Sequence, residues 1–158
     1  MQKQGTLIRV FQTIDGKLKE EFRRGTTPTT ITSLHFSSDA QYIGVASISD
    51  TGHIFKMDNK AQDASKLNML VSGSRDFAHI KAKGKYKIMA VVPKVYNHPT
   101  SNGRSENQVY VFRDDGMLEI YSLDIQNGNE CKLLKSYNLF GATNEGRNHI
   151  EPATGATE

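Results

Sequence analysis

Two adjacent arginines, Arg23 and Arg24, are the residues in this sequence best equipped for chemistry. They follow Lys17-Leu18-Lys19-Glu20-Glu21-Phe22 and precede Gly25. An arginine carries a planar fork that grips phosphate through two parallel hydrogen bonds, and it stays charged at any physiological pH. If the run is extended, successive side chains point to opposite sides. Arg23 and Arg24 could then serve pockets on opposite sides of one strand, and Gly25 permits a sharp turn immediately afterwards. The alternative is a solvated strand end, which is common for paired basic residues.

Other reactive side chains are scattered. There is no Gly-x-Ser-x-Gly elbow, phosphate loop, His-Glu-x-x-His or EF-hand loop, and no carboxylate pair is spaced for acid–base work. The sequence therefore reads as a binding protein and not an enzyme, with no cofactor implied. His35 and His79 read as structural, and His98 sits in a loop beside Pro99. The alternating basic run Lys81 to Lys87 fits an anionic surface or a solvated strand face equally well.

The elements that position the arginines are strands. The 158 residues suit one domain, and 20 basic against 17 acidic residues give +3, too mild to argue for nucleic acid. The single cysteine, Cys131, excludes an internal disulfide and a cysteine-based zinc site and fits a reducing compartment. No signal-peptide core, glycosylation sequon or run near the ~18 apolar residues of a membrane helix is present. The expectation is a cytoplasmic protein whose membrane contact is peripheral.

Strands are expected at Gly5–Phe11, Lys17–Arg24, Ile31–Phe36, Tyr42–Ser47, Thr51–Phe55, Asp76–Ile80, Ile88–Val92, Gln108–Phe112, Met117–Leu123 and Cys131–Leu139. Turns are expected at Asp15-Gly16, Asp114-Asp115-Gly116 and Asn127-Gly128. Polar loops span roughly 56–74, with an apolar island at Leu67–Val71, and 97–106; the stretch 141–158 reads as a disordered tail. Three segments, starting at Gly5, Asp50 and Asp115, echo one another at separations of about 45 and about 65 residues, near the period of propeller blades.

Gly5-Thr6-Leu7-Ile8-Arg9-Val10-Phe11, Phe22-Arg23-Arg24-Gly25, and Ile31 through His53-Ile54-Phe55 resemble the PROPPIN/WIPI family, whose hallmark is the Phe-Arg-Arg-Gly tetrad. The likeness continues through Arg75-Asp76-Phe77-Ala78 and from Tyr121 to Lys135, and covers nearly everything between Gly5 and about Leu139. It implies an all-β, WD-type β-propeller with seven blades, of which this chain would hold about two and a half four-stranded blades. Residues 1–140 would form the end of blade 5 and blades 6 and 7.

The resemblance also implies function. These propellers bind phosphoinositides and act in autophagy. Arg23 would serve a headgroup site toward blade 5, with Thr6 and, more weakly, Arg9. Arg24 would serve a site toward blade 6, with Ser47, Thr51 and His53. The ligand expected is phosphatidylinositol 3-phosphate, with the 3,5-bisphosphate as a second candidate. Partners would be phosphoinositide-containing membranes and autophagy proteins, and the protein would be recruited to autophagosomal precursor and endosomal membranes. Departures are visible. Pro28 follows the tetrad, Ser49-Asp50-Thr51-Gly52 alters the family's turn, and the 56–74 segment, the family's membrane-inserting loop, lacks Trp, Phe and Tyr. The competing expectation is a fragment that binds no lipid and acts as a protein-interaction scaffold, completed by oligomerisation or by a partner.

Overall fold

The computed structural model describes residues 5–57, 75–81, 84–95 and 106–141. Among them there is no helix. Eleven strands follow one another: β1 Leu7–Phe11, β2 Leu18–Arg23, β3 Ile31–Phe36, β4 Tyr42–Ser47, β5 Thr51–Lys56, β6 Ala78–Lys81, β7 Tyr86–Val95, β8 Glu106–Arg113, β9 Met117–Ser122, β10 Asn129–Glu130 and β11 Lys132–Asn138. The expected strands are all present, with ends shifted by a few residues. The loop island Leu67–Val71, His98 and the tail beyond residue 141 lie outside the described residues.

β1 and β2 form an antiparallel hairpin closed at Asp15-Gly16, where Gly16 takes φ +68°. β3 to β6 form an antiparallel meander, and β7, β8, β9 and β11 form a second. A four-stranded meander is the blade of a propeller. The chain is therefore a partial β-propeller: two full blades and one hairpin of a third.

Two apolar layers hold these units together. Strand alternation sends Ile8, Val10 and Phe22 from the hairpin against Ile43, Val45, Phe55 and Met57 of the first blade. The opposite face of that blade sends Tyr42, Ala46, Ile54, Ala78 and Ile80 against Tyr86, Met89, Val91, Val109 and Val111 of the second. β4 is accordingly buried along its whole length, being covered on both faces.

The innermost strands of the two blades, β3 and β7, are joined by side chains. Thr32 donates to the Tyr86 carbonyl at 3.0 Å, Ser33 lies within 3.3–3.4 Å of the Met89 N–H and carbonyl, and the Val91 N–H donates to His35 Nε2 at 3.2 Å. These contacts satisfy backbone groups on the inner edge of β7 that no strand pairs.

β10 was not expected. It leaves the second blade and pairs in parallel with β6, the outer strand of the first, and its approach is extended by Asn129 N–H to Phe77 O and Cys131 N–H to His79 O. Gly128 makes this possible. Its φ is +70°, and a Cβ there would stand 2.0 Å from the Phe77 carbonyl oxygen.

Gly5 does similar work at the start of β1. Its φ is +69°, and a Cβ would meet the Thr29 carbonyl oxygen at 2.2 Å. The 24–30 loop can therefore lie directly on the backbone of Gly5. Changing Gly5 to Ala is expected to destabilise the protein by about 1–3 kcal/mol, through the left-handed backbone and the clash together, as read by chemical denaturation.

Burial holds the His35 imidazole below its ordinary pKa. Its neutral form, which accepts from Val91, is the form the fold prefers. That contribution is full above the pKa of a free imidazole, about 6.5, and is lost as pH falls through the depressed value. The melting temperature should thus drop on acidification from pH 7, and His35→Gln, which cannot titrate, should show a smaller drop over the same interval.

Candidate functional site

The first blade has one end where chemistry collects. β2 ends at Arg23, the 24–30 loop follows, and β3 begins at Ile31 opposite Ser47, the last residue of β4. β5 begins at Thr51 opposite Lys81, the last residue of β6. Arg23, Arg24, Ser47, Thr51 and Lys81 thus share one rim, and His53 lies two residues inward, opposite His79.

Phe22 sets the direction of both arginines. It is 3% exposed and its ring lies 5.0 Å from that of Phe55. Because Phe22 faces the first blade, Arg23 faces away, across from Leu7 and beside the Arg9–Glu21 ion pair at 2.7 Å. The ladder continues with the Arg24 N–H bonded to the Thr6 carbonyl at 2.9 Å, which returns Arg24 to the side of Phe22. The opposite-sides arrangement expected from an extended run is what the backbone adopts.

Arg24 is anchored. Its Nε donates to the Gly5 carbonyl at 2.6 Å and Nη2 donates to the Thr27 carbonyl. Partial burial lowers its pKa, though a guanidinium remains charged. Among the described residues nothing bonds to Nη1, so that end of the fork is available to an anion.

Ser47, Thr51 and His53 all lie on the blade face that meets the hairpin, since they alternate with Val45 and Phe55 of the shared core. Ser47 is 1% exposed and its hydroxyl lies 2.6 Å from that of Ser49. Thr51 is half-buried at the turn. The His53 ring stacks near Phe55, and its Nδ1 lies 2.9 Å from Asp76 Oδ2. Ser47, Thr51 and His53 therefore share the blade face that meets the hairpin, with Ser47 and Thr51 at the rim beside the arginine loop and His53 two residues inward.

Thr6 is placed differently from the expectation that it accompanies Arg23. It is 4% exposed and follows the inward alternation of Ile8 and Val10, whereas Leu7 and Arg9 share Arg23's face. The two-residue period of a strand separates Thr6 from Arg23.

Asp76 and His79 were not singled out by their chemistry. His79 Nδ1 is 3.8 Å from the same Asp76 oxygen, its Nε2 is 4.0 Å from Glu130, and Glu130 holds Lys81 at 3.2 Å. The hydrogen bond from His53 is the largest cause holding the Asp76 carboxyl below the usual carboxylate range. Knowing that Asp76 precedes the strand opposite β5 would have exposed the pairing, but the 21-residue connection between β5 and β6 hides it in sequence. Among the described residues no group of three or more His, Cys, Asp or Glu could hold a metal ion, and no helix is long and apolar enough to cross a membrane.

Comparison with known proteins agrees with this architecture. The chain is 31% identical over 180 residues to WD repeat domain phosphoinositide-interacting protein 1 of Mus musculus, covering 96% of this chain and 38% of the relative. It is 32% identical to Autophagy-related protein 21 of Vanderwaltozyma polyspora, over 84% of this chain and 40% of that protein. The chain thus spans about four-tenths of the length of these relatives. The solved structure of Kluyveromyces lactis Hsv2 superposes with a TM-score of 0.61 at 24% identity, over 87% of this chain and 42% of that one. KlAtg21, solved in complex with the coiled coil of AgAtg16, superposes with a TM-score of 0.61 at 27% identity, over 87% and 37%. The PROPPIN family model matches residues 1–86, the hairpin with its two arginines and the first blade, and this chain belongs to the PROPPIN family.

Proposed function

We propose that this protein is a phosphoinositide-binding peripheral membrane protein that acts in autophagosome formation. Its ligand is phosphatidylinositol 3-phosphate, with the 3,5-bisphosphate as the second candidate. The observation that carries this reading is Arg24. Two backbone carbonyls hold its Nε and Nη2, and this leaves Nη1 for an anion on the rim that also carries Ser47 and Thr51, with His53 two residues inward. A fork fixed before the ligand arrives loses less side-chain freedom on binding than a mobile one. Hydroxyls and an imidazole supply further donors to phosphate oxygens.

Arg23 takes a second headgroup on the opposite face of the hairpin. There Arg9 is drawn toward Glu21, and the side chain of Thr6 is buried on the other side. The relatives carry the names phosphoinositide-interacting and autophagy-related, which supports lipid and autophagy-protein partners and recruitment to autophagosomal precursor and endosomal membranes. Binding and not catalysis is the activity read here.

Flotation with vesicles containing phosphatidylinositol 3-phosphate tests the proposal. The wild-type chain should float with them and not with vesicles lacking the lipid. Arg23→Thr with Arg24→Thr should lose roughly tenfold or more of that binding, since each arginine supplies charge-assisted bonds worth about 1.5–3 kcal/mol. Equal flotation of both proteins would sink the assignment.

A second reading rests on a different surface. Phe11, Leu34 and Phe36, each about half exposed, line a groove between β1 and β3, and among the described residues β1 pairs with β2 alone. Such an edge accepts another strand. A scaffold role through a second copy predicts a concentration-dependent dimer by light scattering, weakened by Phe36→Lys; a monomer at every concentration rejects it.

A further inference from the structure

Every phosphate-binding histidine needs its ring held in one orientation and one protonation pattern, and in this protein a carboxylate stands where that control is exerted. Asp76 Oδ2 lies 2.9 Å from His53 Nδ1. It reaches His53 from the segment just before β6, across the β5–β6 ladder, so it is fixed by a different element from the ring it touches. We propose that Asp76 is the positioning residue of the Arg24 rim: it accepts the proton of His53 Nδ1 and turns Nε2 toward the phosphate ligand. This inference rests on the phosphoinositide reading above.

The chemistry follows from the ring. A neutral imidazole that donates from Nδ1 presents a lone pair at Nε2, which a phosphate oxygen does not favour. The cationic ring donates from both nitrogens. With Asp76 accepting from Nδ1, Nε2–H of that ring is the donor left for a phosphate oxygen. The groups that face His53 fit this role. His79, directly across the ladder, competes only weakly for Asp76, at 3.8 Å. Its other nitrogen is directed to Glu130, which Lys81 balances at 3.2 Å. The Phe55 ring lies nearly parallel to that of His53, with centroids 6.3 Å apart.

The test uses nitrogen-15 NMR of the His53 ring and titration with soluble inositol 1,3-bisphosphate, with inorganic phosphate as a parallel arm. In the wild-type chain, Nδ1 should carry a proton bonded to Asp76, and the Nε2 resonance should move when the bisphosphate is added. Asp76→Ala should release the Nδ1 preference and weaken binding roughly three- to tenfold. Asp76→Asn, whose amide oxygen still accepts from Nδ1, should keep the preference and recover part of the affinity, which loss of fold would not do.

An unchanged ring pattern and unchanged affinity in Asp76→Ala would overturn the inference while leaving the arginine site intact. A wild-type chain that binds no bisphosphate overturns the lipid reading and this inference with it. An inorganic phosphate response as strong as that to the bisphosphate upholds Asp76 and assigns the rim to phosphate alone.

Discussion

The contact between Phe22 and Phe55 is the constraint on which the rest of the arrangement depends. Burying an aromatic ring stabilises by about 1.5–3 kcal/mol, and a tilted ring pair adds about 0.5–1.5 kcal/mol. Those sums fix which side of β2 faces the first blade. Once Phe22 is inside, alternation leaves no choice for its neighbours: Arg23 goes out and Arg24 comes back to the rim. A one-residue slip of β2 would bury Arg23 and expose Phe22, so the apolar contact protects the polar site from misregistration.

The fold was legible because its signals are local. Asp15-Gly16 and Asp114-Asp115-Gly116 mark hairpins, and glycines at both turns take the positive φ that such turns require. Runs such as Tyr42–Ser47 read as buried strands and are buried. The parallel pairing of β10 was not legible, because it joins Asn129–Glu130 to Ala78–His79 across about fifty residues and depends on one glycine's lack of a side chain. The Phe-Arg-Arg-Gly tetrad marked the candidate site by type and order. What alternation assigns correctly for Arg23 and Arg24 it also assigns for Thr6, whose inward side chain separates it from Arg23. The Asp76 contact with His53 was invisible for the same reason as β10, since it forms only when β6 lies beside β5.

The two blades are held by unlike means. Between their broad faces lies an apolar layer, and along their inner strands Thr32, Ser33 and His35 reach the backbone of β7. At the outer edge β10 closes the row of open hydrogen-bonding groups on β6 with a strand from the next blade. Each device covers backbone polar groups that the adjoining sheet leaves unpaired, and together they couple neighbouring blades without one continuous sheet.

β5 is followed by Met57, whose N–H is tied to the Gln41 carbonyl, and β6 is preceded by Phe77, whose N–H is tied to the Ile54 carbonyl. Both moorings lie on the blade itself, at the end opposite the arginines. Joining two such points through a longer connection costs only about 0.6 kcal/mol per doubling of its length. The stretch between Met57 and Arg75 can therefore differ in length while Arg24, His53 and Asp76, which lie outside it, keep their spacing.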